Sequence, residues 1–201
     1  MKKKILKVLA LVACAVLLVV GSIAGTYAFL TFKTDTVTNT FTYGNIQITL
    51  NEANVTEYGV VDGDTRVKAN EYKLIPGHNY VKDPTITVLA DSEACYLFVK
   101  VVNGISEIEA DTTIAAQMAE NGWKVLDSAA GIYYYSAVVE TSDEDQTVDV
   151  FGEFTIKTGA NVSGYGDATI EVTAYAVQAD GVTGDNFAAK AATAWTNGGF
   201  N

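Results

Sequence analysis

The 201-residue chain contains two cysteines, one histidine and two prolines. Each scarcity excludes something. Cys14 lies inside an apolar leader, so Cys95 alone serves the body of the protein and no intramolecular disulfide framework can exist there. The fold must rest on an ordinary hydrophobic core, and Cys95, within an apolar strand pattern, reads as one of its buried members. A single histidine, His78, excludes an HExxH zinc site and every other two-histidine site. It follows Pro76-Gly77 in a turn, no G-x-S-x-G elbow accompanies it, and it reads as a loop histidine. Gly164-Tyr165-Gly166 lacks the helix and lysine that would make it a phosphate cradle.

Positive charge is also scarce. Thirteen Lys and Arg face 24 Asp and Glu, and four of the thirteen stand in the first seven residues. Beyond them nine basic residues remain, a formal charge of −15. Such a surface repels phosphate backbones and anionic lipid, so no nucleic-acid partner is expected. After residue 24 no apolar run is long enough to span a bilayer, and no C-terminal anchor or sorting motif is seen. Contact with a membrane is therefore expected only through an uncleaved precursor.

What is present begins with the leader. Lys2, Lys3, Lys4 and Lys7 form a positive n-region, and residues 5–24 hold no acidic residue. Thr26 and Ala28 occupy the −3 and −1 positions of a processing site, which predicts cleavage between Ala28 and Phe29. The competing reading is a retained anchor, but the run over residues 8–24 is at the short end for a span and no stop-transfer charge cluster follows. Leu11-Val12-Ala13-Cys14 imitates a lipoprotein box, yet the apolar segment continues ten residues past the cysteine. The expected organisation is a signal peptide over residues 1–28 and a single domain over residues 29–201, long enough for a full core.

The domain is dominated by period two. In residues 36–43 every even position is threonine, while Val37, Phe41 and Tyr43 share the other face, interrupted by Asn39. A second strand carries Ile46, Ile48 and Leu50 on one face. Residues 51–70 are polar and read as a loop or weak hairpin, with Asp62-Gly63-Asp64 as its turn. Leu74-Ile75-Pro76-Gly77 predicts a type II turn. Residues 96–102 are apolar on nearly both faces and predict a central strand covered on both sides. One mid-chain helix is expected, with Asp111 as its cap and Ile114, Ala115, Met118 and Ala119 as its apolar stripe. Tyr134 should face opposite to Tyr133 and Tyr135. Residues 148–157 alternate as one strand broken at Gly152, residues 170–176 form another, and an alanine-rich helix capped by Asp185 closes the chain. About eight strands without a βαβ rhythm predict an all-β fold, an antiparallel β-sandwich of jelly-roll type with a short mid-chain and a short C-terminal helix.

Chemistry is hard to find. Asp143-Glu144-Asp145 are consecutive, so their carboxylates diverge instead of forming a catalytic pair. There, or at Asp62 and Asp64, clustered oxygens could hold calcium weakly, but no EF-hand pattern is present. Tyr133 to Tyr135 and Trp123 could line a carbohydrate or peptide groove, although alternating strand aromatics more often divide between core and surface. No catalytic, cofactor-binding or metal-binding residue is predicted.

The leader ending in Gly25-Thr26-Tyr27-Ala28-Phe29, followed by Thr36-Val37-Thr38-Asn39-Thr40-Phe41-Thr42 and Gly44-Asn45-Ile46, resembles the TasA/camelysin group of Gram-positive bacteria. The resemblance extends through Leu74-Ile75-Pro76-Gly77, the stretch from Lys82-Asp83-Pro84 to Val88, Cys95 to Val101, and Thr169 to Gln178. It implies processing by a SipW-type signal peptidase, secretion to the extracellular matrix or cell surface, and a jelly-roll subunit of biofilm matrix fibres, possible company for other matrix proteins. In that group the N-terminal segment freed by cleavage completes the sheet of the next subunit. Residues 29–44 are then the candidate donor strand, with Phe29, Leu30, Phe32, Val37, Phe41 and Tyr43 as its buried contacts. The group also implies an alternative, a camelysin-like surface metallopeptidase, for which this chain lacks a zinc motif; it is not expected to be an enzyme.

Overall fold

The structure, a computed structural model, describes residues 2–30 and 44–200, with side chains described for residues 2–16 and from 44 onward. The chain forms two compact units, Met1–Thr42 and Tyr43–Asn201. In the first, α1 (Lys2–Leu30) is a continuous helix running through the predicted cleavage point, and its apolar side chains from Ile5 to Val16 are exposed. Among the described residues no helix is long and apolar enough to cross a membrane.

The second unit is mostly β, and the described residues form three antiparallel sheets and three helices. One four-stranded sheet has the order β2-β1-β4-β8, from β1 (Ile48–Val55), β2 (Val61–Val67), β4 (Thr85–Val88) and β8 (Gln146–Asp149). The other has the order β10-β5-β7-β6, from β5 (Cys95–Asn103), β6 (Trp123–Asp127), β7 (Ile132–Tyr135) and β10 (Ile170–Gln178). A small third sheet pairs β3 (Asn79–Val81) with β9 (Glu153–Thr155). Helices α2 (Ile114–Glu120) and α3 (Phe187–Gly198) complete the unit.

One core cluster draws on all three sheets: Ile86 and Val88 of β4, Val148 of β8, Leu97 and Val99 of β5, Tyr80 of β3 and Phe154 of β9. Each such side chain contributes roughly 1.5–3 kcal/mol by leaving water. The opposite face of β5 is also buried. Tyr96 and Phe98 pack with Ala191 and Ala194 of α3, flanked by Phe187, Trp195 and Tyr134. The double covering expected for this strand is therefore observed. So is the division of the tyrosines, with Tyr133 and Tyr135 on the main core and Tyr134 under α3.

Several boundaries differ from expectation, each for a local reason. Of the two readings of residues 51–70, the hairpin is the one that forms, with its turn elsewhere: β1 runs on to Val55 and pairs with β2. The turn between them lies at residues 56–60, where the Gly59 amide donates to the Thr56 carbonyl at 2.8 Å, and Asp62-Gly63-Asp64 lies within β2. The expected strand over residues 148–157 divides into β8 and β9, which belong to different sheets. Its alternation fails because Val150 and Phe151 are consecutive and both buried, so β8 ends at Asp149 and β9 starts only at Glu153. The cap of helix α2, Thr113, lies two residues after the expected Asp111. Thr113 Oγ1 accepts from the Ala116 amide at 3.2 Å, and the buried Glu109 carboxylate accepts from the Ile114 amide at 3.0 Å. Only Ile114 and Met118 of its expected stripe are buried. Asn186, not Asp185, caps α3, accepting from the Ala189 amide at 3.0 Å. The turn at Pro76 forms as predicted: the His78 amide donates to the Ile75 carbonyl at 3.1 Å, with Gly77 at φ 80°.

Gly59 joins the β1–β2 turn to the core. Its φ is 72°, and a Cβ there would lie 2.6 Å from the Tyr80 Cα. Gly59→Ala is expected to destabilise the protein by about 2–3 kcal/mol, through left-handed strain plus displacement of Tyr80. In thermal denaturation the melting temperature should fall by roughly 4–10 °C.

Candidate functional site

The two four-stranded sheets do not close on each other at one side. Strand β10 pairs with β5 along its full nine residues, from Ile170↔Asn103 to Gln178↔Cys95. Its other edge has no strand partner among the described residues. Across from it, β1 pairs with β4 through residues 48–51 and with β2 only from Glu52 onward. Over residues 48–50, β1 is thus hydrogen-bonded in a ladder on one side alone. Every strand edge of this kind presents alternate N–H and C=O groups without ladder partners.

Between these edges lies an open cavity of about 1300 Å³. One wall is β1, from Ile48 to Glu52, and the other is the first half of β10, from Ile170 to Ala174. The segment from Arg66 to Tyr72 and the loop from Tyr165 to Thr169 also line it. The inner faces of both walls are apolar: Ile48 and Leu50 on β1, Ile170, Val172 and Ala174 on β10, with Tyr72, Leu74 and Phe154 behind them. Except for Phe154, which is fully buried, these side chains touch the main core but are only partly covered. The groove is therefore an unfinished part of the core, lined by sheet edges.

Its polar component is compact. Glu52 follows Leu50 on the inner face of β1 and is 4% exposed. Its carboxylate accepts from Lys82 Nζ at 2.6 Å and from Asn70 Nδ2 at 2.8 Å. Asn70 also accepts from the Val55 amide at 3.0 Å, which ties the segment after β2 back onto β1. Tyr72 donates to the Val81 carbonyl at 3.0 Å, and burial, then the Glu52 and Asp83 carboxylates, hold its phenol protonated well above the ordinary range. At the rim, Arg66 of β2 donates to the Asn51 and Asp83 carbonyls, pairs with the Asp83 carboxylate at 3.0 Å, and reaches Thr85 Oγ1.

The other residues singled out from the sequence have structural surroundings. His78 lies against Tyr80, with ring centroids 4.6 Å apart and Nε2 2.9 Å from the Tyr58 carbonyl. Asp145 accepts from the Ala90 amide at 2.8 Å. Trp123 is buried and donates to the Asp149 carbonyl at 2.9 Å, and Tyr134 stacks on Phe187, so these aromatics do not form an exposed binding strip. Among the described residues no group of three or more His, Cys, Asp or Glu side chains could hold a metal ion. Of the expected donor-strand contacts, Phe29 and Leu30 lie in the last turn of α1. Phe32, Val37, Phe41 and Tyr43 lie outside the described residues. The groove itself was missed from the sequence. Its one sequence signal is the alternation of β10, whose inner face of Ile170, Val172, Ala174 and Ala176 looks like any half-buried strand.

Comparisons with protein-family models, curated proteins and solved structures find no match to this chain.

Two outcomes test this description. Lys82→Met leaves the buried Glu52 carboxylate without its cation and should cost about 3–5 kcal/mol in urea denaturation, whereas adding Glu52→Leu to it should recover part of that loss. Burial also pushes the Cys95 thiol up to about 11. At pH 8 its thiolate is on the order of one part in a thousand, so alkylation of the native protein should be negligible and should become rapid only in denaturant.

Proposed function

We propose that this is a secreted structural protein of TasA/camelysin type, which assembles into extracellular fibres of a biofilm matrix by strand addition. Cleavage after Ala28 by a SipW-type signal peptidase frees residues 29–43, and that segment from one subunit enters the groove of the next. The two four-stranded sheets are then the halves of a jelly-roll-type sandwich, completed by the incoming strand. The observation that carries this reading is the groove: two sheet edges with free ladder positions face an apolar, partly covered section of the core. An extended peptide there gains main-chain hydrogen bonds and pockets for alternate side chains, the usual mode of strand addition. The segment that would serve has the right composition, with Val37, Phe41 and Tyr43 on one face and threonines on the other. The metallopeptidase alternative has no three-ligand group among the described residues to build on.

Deleting residues 29–43 from the secreted chain should abolish fibres in negative-stain electron microscopy and leave the protein in the supernatant after ultracentrifugation. Its far-UV circular dichroism should remain that of a β protein. Fibres of normal abundance from the deleted chain would refute strand donation.

A further inference from the structure

One group of side chains beside the groove holds more chemistry than an ion pair needs. Glu52 of β1, Lys82 just after β3 and Asn70 behind β2 meet at a single carboxylate. Glu52 Oε2 accepts from Lys82 Nζ at 2.6 Å, and Oε1 accepts from Asn70 Nδ2 at 2.8 Å. The amine and the amide are therefore held side by side on its two oxygens. Lys82, its side chain 10% exposed, and Glu52 are both shielded from water. Glu52 is the one acceptor of Lys82 Nζ among the described residues. The amide is fixed from both ends. Asn70 Nδ2 also donates to the Ala53 carbonyl at 2.9 Å, and Oδ1 accepts from the Val55 amide at 3.0 Å.

An amine and a carboxamide on one carboxyl group, in a site poor in water, are the reactants of a transamidation. We propose that Lys82 and Asn70 join in an intramolecular amide bond, with Glu52 as the proton carrier. Transfer of one proton from the ammonium to Glu52 replaces two buried charges by none and frees the lone pair of the nucleophile. The amine attacks Asn70 Cγ, and the Val55 N–H faces the oxygen on which negative charge develops. As the Cγ–Nδ2 bond breaks, Glu52 gives its proton to Nδ2 and takes a second one from Nζ. Ammonia leaves, one Nζ–Cγ amide bond remains, and Glu52 ends as a neutral acid. Nothing is oxidised or reduced, so no co-reactant is needed. All three residues line the groove, which gives ammonia an exit. The product ties the segment behind β2 to the end of β3. In a body with one cysteine it supplies the covalent brace that a disulfide would otherwise provide. This bond goes beyond strand addition and does not depend on it.

The test is the mass of the secreted chain. Electrospray mass spectrometry should place it about 17 Da, one ammonia, below the mass of its sequence. Trypsin should release a branched peptide, residues 69–73 joined to residues 74–100 and uncut after Lys82. Glu52→Gln keeps the size of the side chain but cannot take up the proton, so it should show its full mass. Lys82→Arg keeps the cation without the amine nucleophile and should do the same. Circular dichroism identifies the variants that fold, and the parent digest decides the matter whether or not they do. A parent chain at its full mass, releasing residues 69–73 and 83–100 as separate peptides, would overturn the proposal. So would an ammonia loss that maps to another peptide, or the same link in folded Glu52→Gln. Fibre formation is a separate readout, and strand addition stands or falls apart from these results.

Discussion

The structure depends above all on the burial of β5 on both faces. Its nine residues pair with β10 on one edge and, through Phe98 to Lys100, with β7 on the other. Cys95, Leu97, Val99 and Val101 enter the main core, while Tyr96 and Phe98 hold α3 onto the outside of the sheet. A strand used in four directions leaves its neighbours few choices. β10 must lie along β5 in a single register, because a one-residue slip would turn Val172 and Ala174 away from the core. That same fixed placement aims the second edge of β10 at β1, and so creates the groove.

An apolar, edge-lined groove is a hazard for any protein that must stay monomeric, and proteins usually cover, twist or charge such edges. Here the charge is placed at the ends and not along the lane. Arg66 clamps Asn51, Asp83 and Thr85 together at the rim, and β2 occupies β1 from Glu52 onward. The open section is thereby kept short, with one end closed by the Glu52–Lys82–Asn70 group. A buried ion pair is weak evidence for stability, because desolvation offsets most of the Coulombic attraction.

Much of this fold was legible in the sequence. Period two located β4, β5, β7 and β10, and the doubly apolar residues 96–102 located the central strand. Pro76-Gly77 gave its turn because few other residues accept that backbone. The failures share a cause. The polar hairpin was one of two readings and its turn was misplaced, because β2 is exposed at six of its seven residues, so no alternation marks it and pairing with β1 holds it extended. The division of β8 from β9 depends on Val150 and Phe151 both finding core partners, a tertiary demand that overrides alternation. The groove was not legible at all, because a sequence reports which residues are apolar and not which strand edge lacks a neighbour.

On the proposed reading, strand addition must also overcome charge. With the leader removed the subunit carries a formal −15, and like-charged subunits repel over a distance set by ionic strength, about 8 Å at physiological salt. Against this, burying Val37, Phe41 and Tyr43 would contribute roughly 5–9 kcal/mol at 1.5–3 kcal/mol for each side chain. The entropy of association alone costs an estimated 4–15 kcal/mol. Side-chain burial therefore leaves at most a small surplus, and the ladder bonds to the free edge of β10 have to supply the rest. A strand that slips by two residues keeps its count of ladder bonds but loses the match of its side chains to the groove, so side-chain burial and not the ladder would select the register.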